Sequence, residues 1–183
     1  MLGFVTMNFR SIEKVRGITL LELMIVIAIV AIAATIAAPS IQDLLRNNRV
    51  SAQNNELIGL ISLAKSQAIR RNQNWQVDLL SNGASWQGNV RPADNTPVDP
   101  NDDQGCPSIP GVIRCSSSRG VSLSPPVTLI FNNRGFLDQG ANTWATETVI
   151  LEHQGCAGNL QAREVEILPT GQVTSRAIPC PGS

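Results

Sequence analysis

"VRGITLLELMIVIAIVAIAATIAAPS", residues 15–40, is the stretch that decides how the N-terminal part of this chain folds. Between Ile18 and Ala38 it contains 21 residues, of which Glu22 alone is charged. A helix of that length is about 30 Å long, which matches the hydrocarbon core of a bilayer. A charge within such a span costs roughly 2.5–3.5 kcal/mol on insertion scales. The stretch therefore predicts a membrane-spanning helix in which Glu22 needs a partner.

The flanks of the apolar run argue against two common kinds of N-terminal segment. An ordinary secretory signal has a shorter apolar core and a small-residue cleavage site, and here Pro39 would follow the cut directly. A plain membrane anchor explains the length of the run but neither Glu22 nor the Arg16–Gly17 junction. Positive charge before the run favours a cytoplasmic N-terminus. The bases of this leader are Arg10, Lys14 and Arg16, against one acid, Glu13.

The junction "RGITLLE", residues 16–22, resembles the class III signal of type IV pilins and type II secretion pseudopilins. In that family a basic–glycine pair precedes an apolar residue, and glutamate follows four positions later. The resemblance implies that prepilin peptidase cuts between Gly17 and Ile18 and methylates the new N-terminus at Ile18. Isoleucine stands here in place of the commoner phenylalanine. Translation can begin at Met1 or at Met7, because both leave the signal intact.

Cleavage gives Glu22 its expected partner. The new ammonium group at Ile18 would lie one helical turn from Glu22 on the same face. In a staggered bundle of parallel helices, the carboxylate can instead reach the ammonium of a neighbouring subunit. A charge in lipid is tolerated when it is paired, and it then favours the subunit register that supplies the pair. Glu22 is thus predicted to act in assembly; the alternative is an acid that reaches the headgroups from the helix end.

The pattern after the apolar run predicts an α+β protein with a type IV pilin-like fold. Apolar residues at spacings of three, four or seven continue as an amphipathic helix, with a kink predicted at Pro39. Alternating segments then predict strands that form an antiparallel sheet packed on this long helix. The predicted parts are a leader (1–17), a transmembrane and assembly helix (18–38), an amphipathic continuation (39–74) and a periplasmic β-sheet domain (75–183) with an irregular loop at 88–120.

Three segments of the chain resemble the GspH/FimT group of minor pilins and pseudopilins. They are "NNRVSAQNNELIGLISLAKSQAIRRN" (47–72), "TLIFNNRGF" (128–136) and the closing hairpin "VEILPTGQVTSR" (165–176). The resemblance implies a structural subunit that is anchored once in the bacterial inner membrane, with its C-terminal domain in the periplasm. It then joins a type IV pilus or a type II secretion pseudopilus, and the sequence leaves these two filaments open. The implied partners are other pilins or pseudopilins and prepilin peptidase.

Four cysteines lie on the predicted exported side, where thiols are oxidised. They allow three connectivities, and neighbourhood along the chain suggests Cys106–Cys115 and Cys156–Cys180. Zinc binding is the alternative, but the chain has no Cys-x-x-Cys pair and His153 is its one histidine. We therefore expect disulfides and neither a metal nor a cofactor.

Enzymatic activity is not expected. His153 lies near Cys156, which suggests a nucleophilic pair, but a half-cystine is the expected state of that cysteine. The chain has neither a Gly-x-Ser-x-Gly elbow nor a phosphate-binding loop. Acids in a proline-rich segment are interpreted as solvated charge, with weak calcium binding as the alternative. These acids are Asp94, Asp99, Asp102 and Asp103.

DNA binding is the rival function, because some FimT-like minor pilins bind DNA for uptake in natural transformation. In those proteins arginines follow the turn glycine of the last hairpin. Here Gly171 is followed by four uncharged residues before Arg176, and Arg163 is the other candidate contact. Residues 75–183 hold six bases against ten acids. Because nucleic-acid affinity depends mainly on neutralising phosphates, the composition makes nucleic acid an unlikely partner.

Overall fold

The computed structural model describes residues 18–93, 111–138, 145–158 and 160–181 of the 183-residue chain. The chain divides into two compact units, with the boundary between Ser40 and Ile41. Several sequence predictions lie outside the described residues: the leader with Gly17, the half-cystine Cys106, and the four acids of the proline-rich segment.

A helix, α1, extends from Leu20 to Arg71 and confirms the predicted long N-terminal helix. Its C-terminus has a defined cap. Asn72 adopts a positive φ of 52°, and the N–H of Gln73 donates to the carbonyl of Ala68 at 3.3 Å. This six-to-one hydrogen bond around a left-handed residue is a Schellman motif, which satisfies a carbonyl at the helix end. Helix α1 includes Pro39, and the kink expected there remains a prediction.

Within the described residues, eight strands follow the helix and form two antiparallel sheets of four strands each. The first sheet has the order β3-β2-β1-β5, and the second has the order β4-β6-β7-β8. The strands are β1 (Trp75–Ser81), β2 (Ser85–Pro92), β3 (Arg114–Arg119), β4 (Val121–Ser124), β5 (Val127–Phe131), β6 (Glu147–His153), β7 (Gln161–Ile167) and β8 (Val173–Pro179).

The core of the second unit lies where α1 packs on the sheets. The helix contributes buried side chains at helical spacing, which include Leu57, Leu60 and Ile61. Strand β1 contributes Trp75 and other side chains at alternate positions. The fold is therefore α+β, as the sequence predicts, with the apolar stripe of the amphipathic helix facing the sheets.

Gly88 in β2 lies close against the helix. A Cβ at this position would collide with Cδ1 of Leu60 and would lie 2.9 Å from Cζ3 of Trp86. Glycine in a strand often marks such an approach. The same glycine interrupts the apolar alternation of β2, so the sequence does not reveal the full length of that strand.

The prediction that residues 88–120 form an irregular loop is wrong at both ends. Strand β2 continues to Pro92, and Arg114–Arg119 forms β3 at the edge of the first sheet. Strand β3 reads "RCSSSR" and has no apolar alternation, because only Ser118 within it is buried. Main-chain pairing with β2 holds this edge strand in place, and such pairing leaves no hydrophobic pattern in the sequence.

Candidate assembly interface

The start of α1 has a defined N-cap that involves Glu22. Oγ1 of Thr19 accepts a hydrogen bond from the main-chain N–H of Glu22 at 3.2 Å. Thr19 is thus the N-cap and Glu22 the third helical residue, where a carboxylate interacts favourably with the helix dipole. Ile18 precedes the cap and is not helical, so the expectation that Ile18 and Glu22 share one helix face does not apply in this structure.

The apolar residues of the first unit lie on the surface of the chain. The described side chains from Ile18 to Ala38 are all exposed, and among the described residues α1 is the one helix long and apolar enough to cross a membrane. Burial of an isoleucine or leucine side chain contributes roughly 1.5–3 kcal/mol. A large exposed apolar surface of this kind is typical of a segment that is covered by lipid or by other subunits.

Within the second unit, polar side chains of α1 are hydrogen-bonded to β8 and to the turn between β7 and β8. Nζ of Lys65 donates to the carbonyls of Thr170 and Gly171 at 3.0 and 3.1 Å. The Lys65 side chain also lies against Gly171, where a Cβ would be 3.1 Å from its Cδ. Oγ of Ser175 donates to Oδ1 of Asn54 at 2.9 Å. The last hairpin is thus joined to the helix by charge-assisted and neutral hydrogen bonds.

The two candidate DNA-contacting arginines are engaged within the chain. Nε of Arg176 lies 2.6 Å from Oε2 of Glu164, and its Nη2 lies 3.8 Å from Oε1 of Glu166. Nη2 of Arg163 donates to Oγ of Ser51 on the helix at 3.1 Å. The hydrogen bond from Arg176 lowers the pKa of Glu164, so this pair persists at neutral pH and breaks as the pH falls through the lowered pKa.

A buried ionic network, absent from the sequence predictions, lies on the first sheet. Nε of Arg91 donates to Oδ2 of Asp78 at 2.7 Å, and the two residues are 2% and 3% exposed. Oδ1 of Asp78 accepts further hydrogen bonds from Gln76 at 2.8 Å and Thr128 at 3.0 Å. The sequence feature that could have revealed this network is Asp78, an acid in the middle of a strand. A buried carboxylate requires hydrogen-bond partners.

The sequence places Cys156 and Cys180 around the last hairpin, and in the structure they form a disulfide. It joins the connection between β6 and β7 to the residue after β8. Cys115 is also disulfide-bonded, while its predicted partner Cys106 lies outside the described residues. A thiol nucleophile at Cys156 is therefore absent. In the described ranges, no group of histidine, cysteine and acid side chains is arranged for a metal ion.

Removal of the Cys156–Cys180 disulfide should destabilise the second unit. The bridge closes a loop with a sequence separation of 24 residues, for which the chain-entropy model gives about 3 kcal/mol. We expect the double substitution Cys156→Ser with Cys180→Ser to lower the thermal midpoint by roughly 10 °C. Calorimetry of the residue 41–183 fragment, with the oxidised parent as control, measures this change. Equal midpoints would contradict a stabilising role for the bridge.

A long helix that begins with an exposed apolar segment and packs on antiparallel sheets defines the type IV pilin-like class of structural subunits. A family model for the type II transport protein GspH matches residues 53–171, and a model for the prokaryotic N-terminal methylation motif matches residues 13–38. The chain therefore belongs to the GspH family and is a GspH/FimT-like minor pilin or pseudopilin.

Solved structures with the same fold include the type IV minor pilin FimU of Pseudomonas aeruginosa, in two crystal forms. The TM-scores are 0.51 and 0.53 at 15% identity, and the matches cover 70% and 74% of this chain and 96% of the FimU chain. At this identity the likeness establishes the fold alone. No curated protein matches the chain.

Proposed function

We propose that this chain is a filament subunit that prepilin peptidase cuts between Gly17 and Ile18 and methylates at Ile18. Its apolar helix anchors it once in the inner membrane, with the β-sheet domain in the periplasm, before it joins a type IV pilus or a type II secretion pseudopilus. The match of the N-terminal methylation motif to residues 13–38 carries the proposal. The subunit has no catalytic activity of its own, and its partners are the peptidase and neighbouring pilins.

Processing depends on the small residue before the cut. Gly17→Val places a branched side chain at the junction, and we expect it to leave an uncut precursor in the membrane. Mass spectrometry of the wild-type chain should find a methylated N-terminus at Ile18. Ile12→Val lies elsewhere in the leader under either start; it is the control and should be processed normally. A mature wild-type chain that begins at another residue would contradict the proposed cleavage.

DNA uptake is the second candidate function, and the ion pairs of the last hairpin argue against it. Arg176 would have to leave Glu164 and Glu166 in order to contact phosphate, and Arg163 would have to leave Ser51. Glu164 and Glu166 on β7 also repel a phosphate that approaches either arginine. The local charge supports a role for Arg176 in holding β8 to β7.

The two functions differ in the strength and the salt dependence of DNA binding. We expect the full chain in detergent to bind duplex DNA no more tightly than the roughly 10⁻⁴–10⁻⁶ M of non-specific binding at physiological salt. Arg176→Ala and Arg163→Ala should leave that weak binding unchanged, as should the control Arg134→Ala in an exposed turn. Tighter binding that weakens steeply with salt and is lost with Arg176→Ala, but not with Arg134→Ala, would establish the DNA-binding alternative.

A further inference from the structure

A small cavity at the start of the second unit is lined by basic side chains that the proposed function does not use. Its volume is about 260 Å³, and its walls are Gln42, Leu45, Arg46, Arg49 and His153. This volume lies below the range of pockets for drug-sized molecules and suits one polar headgroup. The cavity forms where the helix residues 42–49 pass the end of β6.

Helical spacing places Arg46 and Arg49 on one face, one turn apart. Among the described residues, Arg46 has one distant ion pair, at 3.8 Å from Oδ1 of Asp43, and the two side chains are 44% and 38% exposed. Arg49 is exposed and makes neither an ion pair nor a hydrogen bond with the described residues. Its Nη1 lies 3.7 Å from the position that a Cβ of Gly120 would occupy, so the guanidinium lies beside the β3–β4 turn.

His153 completes the wall of the cavity in a fixed orientation. Its Nδ1 lies 2.7 Å from the carbonyl oxygen of Gln154. A carbonyl can only accept, so Nδ1 carries the hydrogen and Nε2 is the ring nitrogen left for other contacts. The N–H of Gln154 in turn donates to the carbonyl of Gly120 at 3.0 Å, which ties the end of β6 to the β3–β4 turn. Hydrogen bonds therefore fix the position of the end of β6, which carries His153.

We propose that this cavity binds the phosphate of an anionic phospholipid headgroup. Guanidinium groups bind phosphate oxygens through forked, charge-assisted hydrogen bonds, and two of them a turn apart can share one phosphate. The basic cavity contrasts with residues 75–183, where ten acids exceed six bases. An anionic headgroup leaves its phosphate charge uncompensated, whereas a zwitterionic headgroup neutralises it.

The position of the cavity along the chain selects a lipid as the source of the phosphate. Arg46 is only eight residues past Ala38, where the apolar run ends, so a chain anchored through residues 18–38 keeps both arginines close to the membrane along the sequence. Basic side chains next to a membrane-spanning helix are attracted to anionic headgroups, and long ones can reach them. This step rests on the proposed anchoring of residues 18–38 in the membrane.

The single histidine of the chain provides a local probe, since its ring gives one NMR resonance that reports on the cavity. The untagged full chain in a neutral detergent is titrated at constant pH with dihexanoylphosphatidylglycerol, with dihexanoylphosphatidylcholine, or with inorganic phosphate. We expect phosphatidylglycerol to cause a saturable shift of the histidine ring resonance. Phosphatidylcholine should bind at least tenfold more weakly than phosphatidylglycerol, and inorganic phosphate should also bind more weakly than phosphatidylglycerol.

The double variant Arg46→Gln with Arg49→Gln removes both guanidiniums from exposed positions. We expect about fivefold weaker phosphatidylglycerol binding for each arginine removed, hence roughly 25-fold for both. The matched control, Arg70→Gln with Arg134→Gln, loses the same charge elsewhere and should bind within twofold of the parent. Arg49→Lys keeps the charge but loses the fork, and should bind with intermediate affinity.

Three results would overturn the headgroup site. These are equal affinities of the two double variants, equal binding of the two lipids, and inorganic phosphate that saturates the cavity with phosphatidylglycerol no tighter. None of them bears on anchoring, which is tested separately by whether alkaline carbonate extracts the chain from membranes. A failure of the headgroup site and a failure of the proposed function are therefore distinguishable.

Discussion

Glu22→Leu should insert into the membrane at least as well as the parent chain and yet be lost from filaments. The substitution removes a charge that costs roughly 2.5–3.5 kcal/mol within the apolar span. It also removes the carboxylate proposed to pair with the Ile18 ammonium of a neighbouring subunit. We expect incorporation to fall at least tenfold, which corresponds to about 1.4 kcal/mol of lost pairing. Immunoblots of sheared filaments and of membrane fractions measure the two effects.

The N-cap of α1 supplies a control that separates the carboxylate from the start of the helix. Thr19 caps the helix through the main-chain N–H of Glu22, and that N–H remains in Glu22→Leu. Thr19→Val removes the capping oxygen and keeps the carboxylate, so it should be incorporated normally. Glu22→Asp should be incorporated in part, because its carboxylate is retained on a shorter side chain. Normal incorporation of Glu22→Leu, or equal loss with Thr19→Val, would contradict the pairing proposal.

Asp78→Ala should be the most destabilising of the single substitutions considered for the second unit. It removes the carboxylate that accepts from Arg91, which is 2% exposed, and from Gln76 and Thr128. Three donors lose this buried acceptor, and loss of a buried hydrogen-bond partner costs roughly 1–3 kcal/mol for each group, and more for a charged one. Against a typical domain stability of about 5–15 kcal/mol, that is a large fraction.

Urea denaturation of the residue 41–183 fragment measures this change in the free energy of unfolding. Asp78→Asn keeps an acceptor oxygen and should be destabilised by a smaller amount. The matched control is Glu164→Ala, which also breaks a carboxylate–arginine pair on neighbouring strands, but with an arginine exposed to solvent. Exposed pairs contribute little, so this variant should unfold close to the parent. Equal midpoints for Asp78→Ala and Glu164→Ala would show that burial of the first pair is unimportant for stability.

The long helix and most strands are predictable because each carries its own periodicity. The apolar run at 18–38, the stripe on residues 41–71 and the alternation at Trp75–Ser81 are local patterns that a single segment reveals. The edge strand β3 and the far end of β2 are not predictable in this way. A serine-rich edge strand forms by main-chain pairing, and Gly88 interrupts the pattern of β2 because the helix passes close to it.

The sequence by itself determined the class of protein, because the charged junction, the apolar length and the acid at Glu22 are adjacent along the chain. Only the tertiary structure decided how distant charges are partnered. Arg91 on β2 pairs with Asp78 on the neighbouring strand β1. Lys65 donates to the carbonyl of Gly171 in the last turn, and Arg176 pairs with Glu164. Which charges pair depends on distances through space, and strand register and helix packing set those distances. Composition alone carries no information about register or packing.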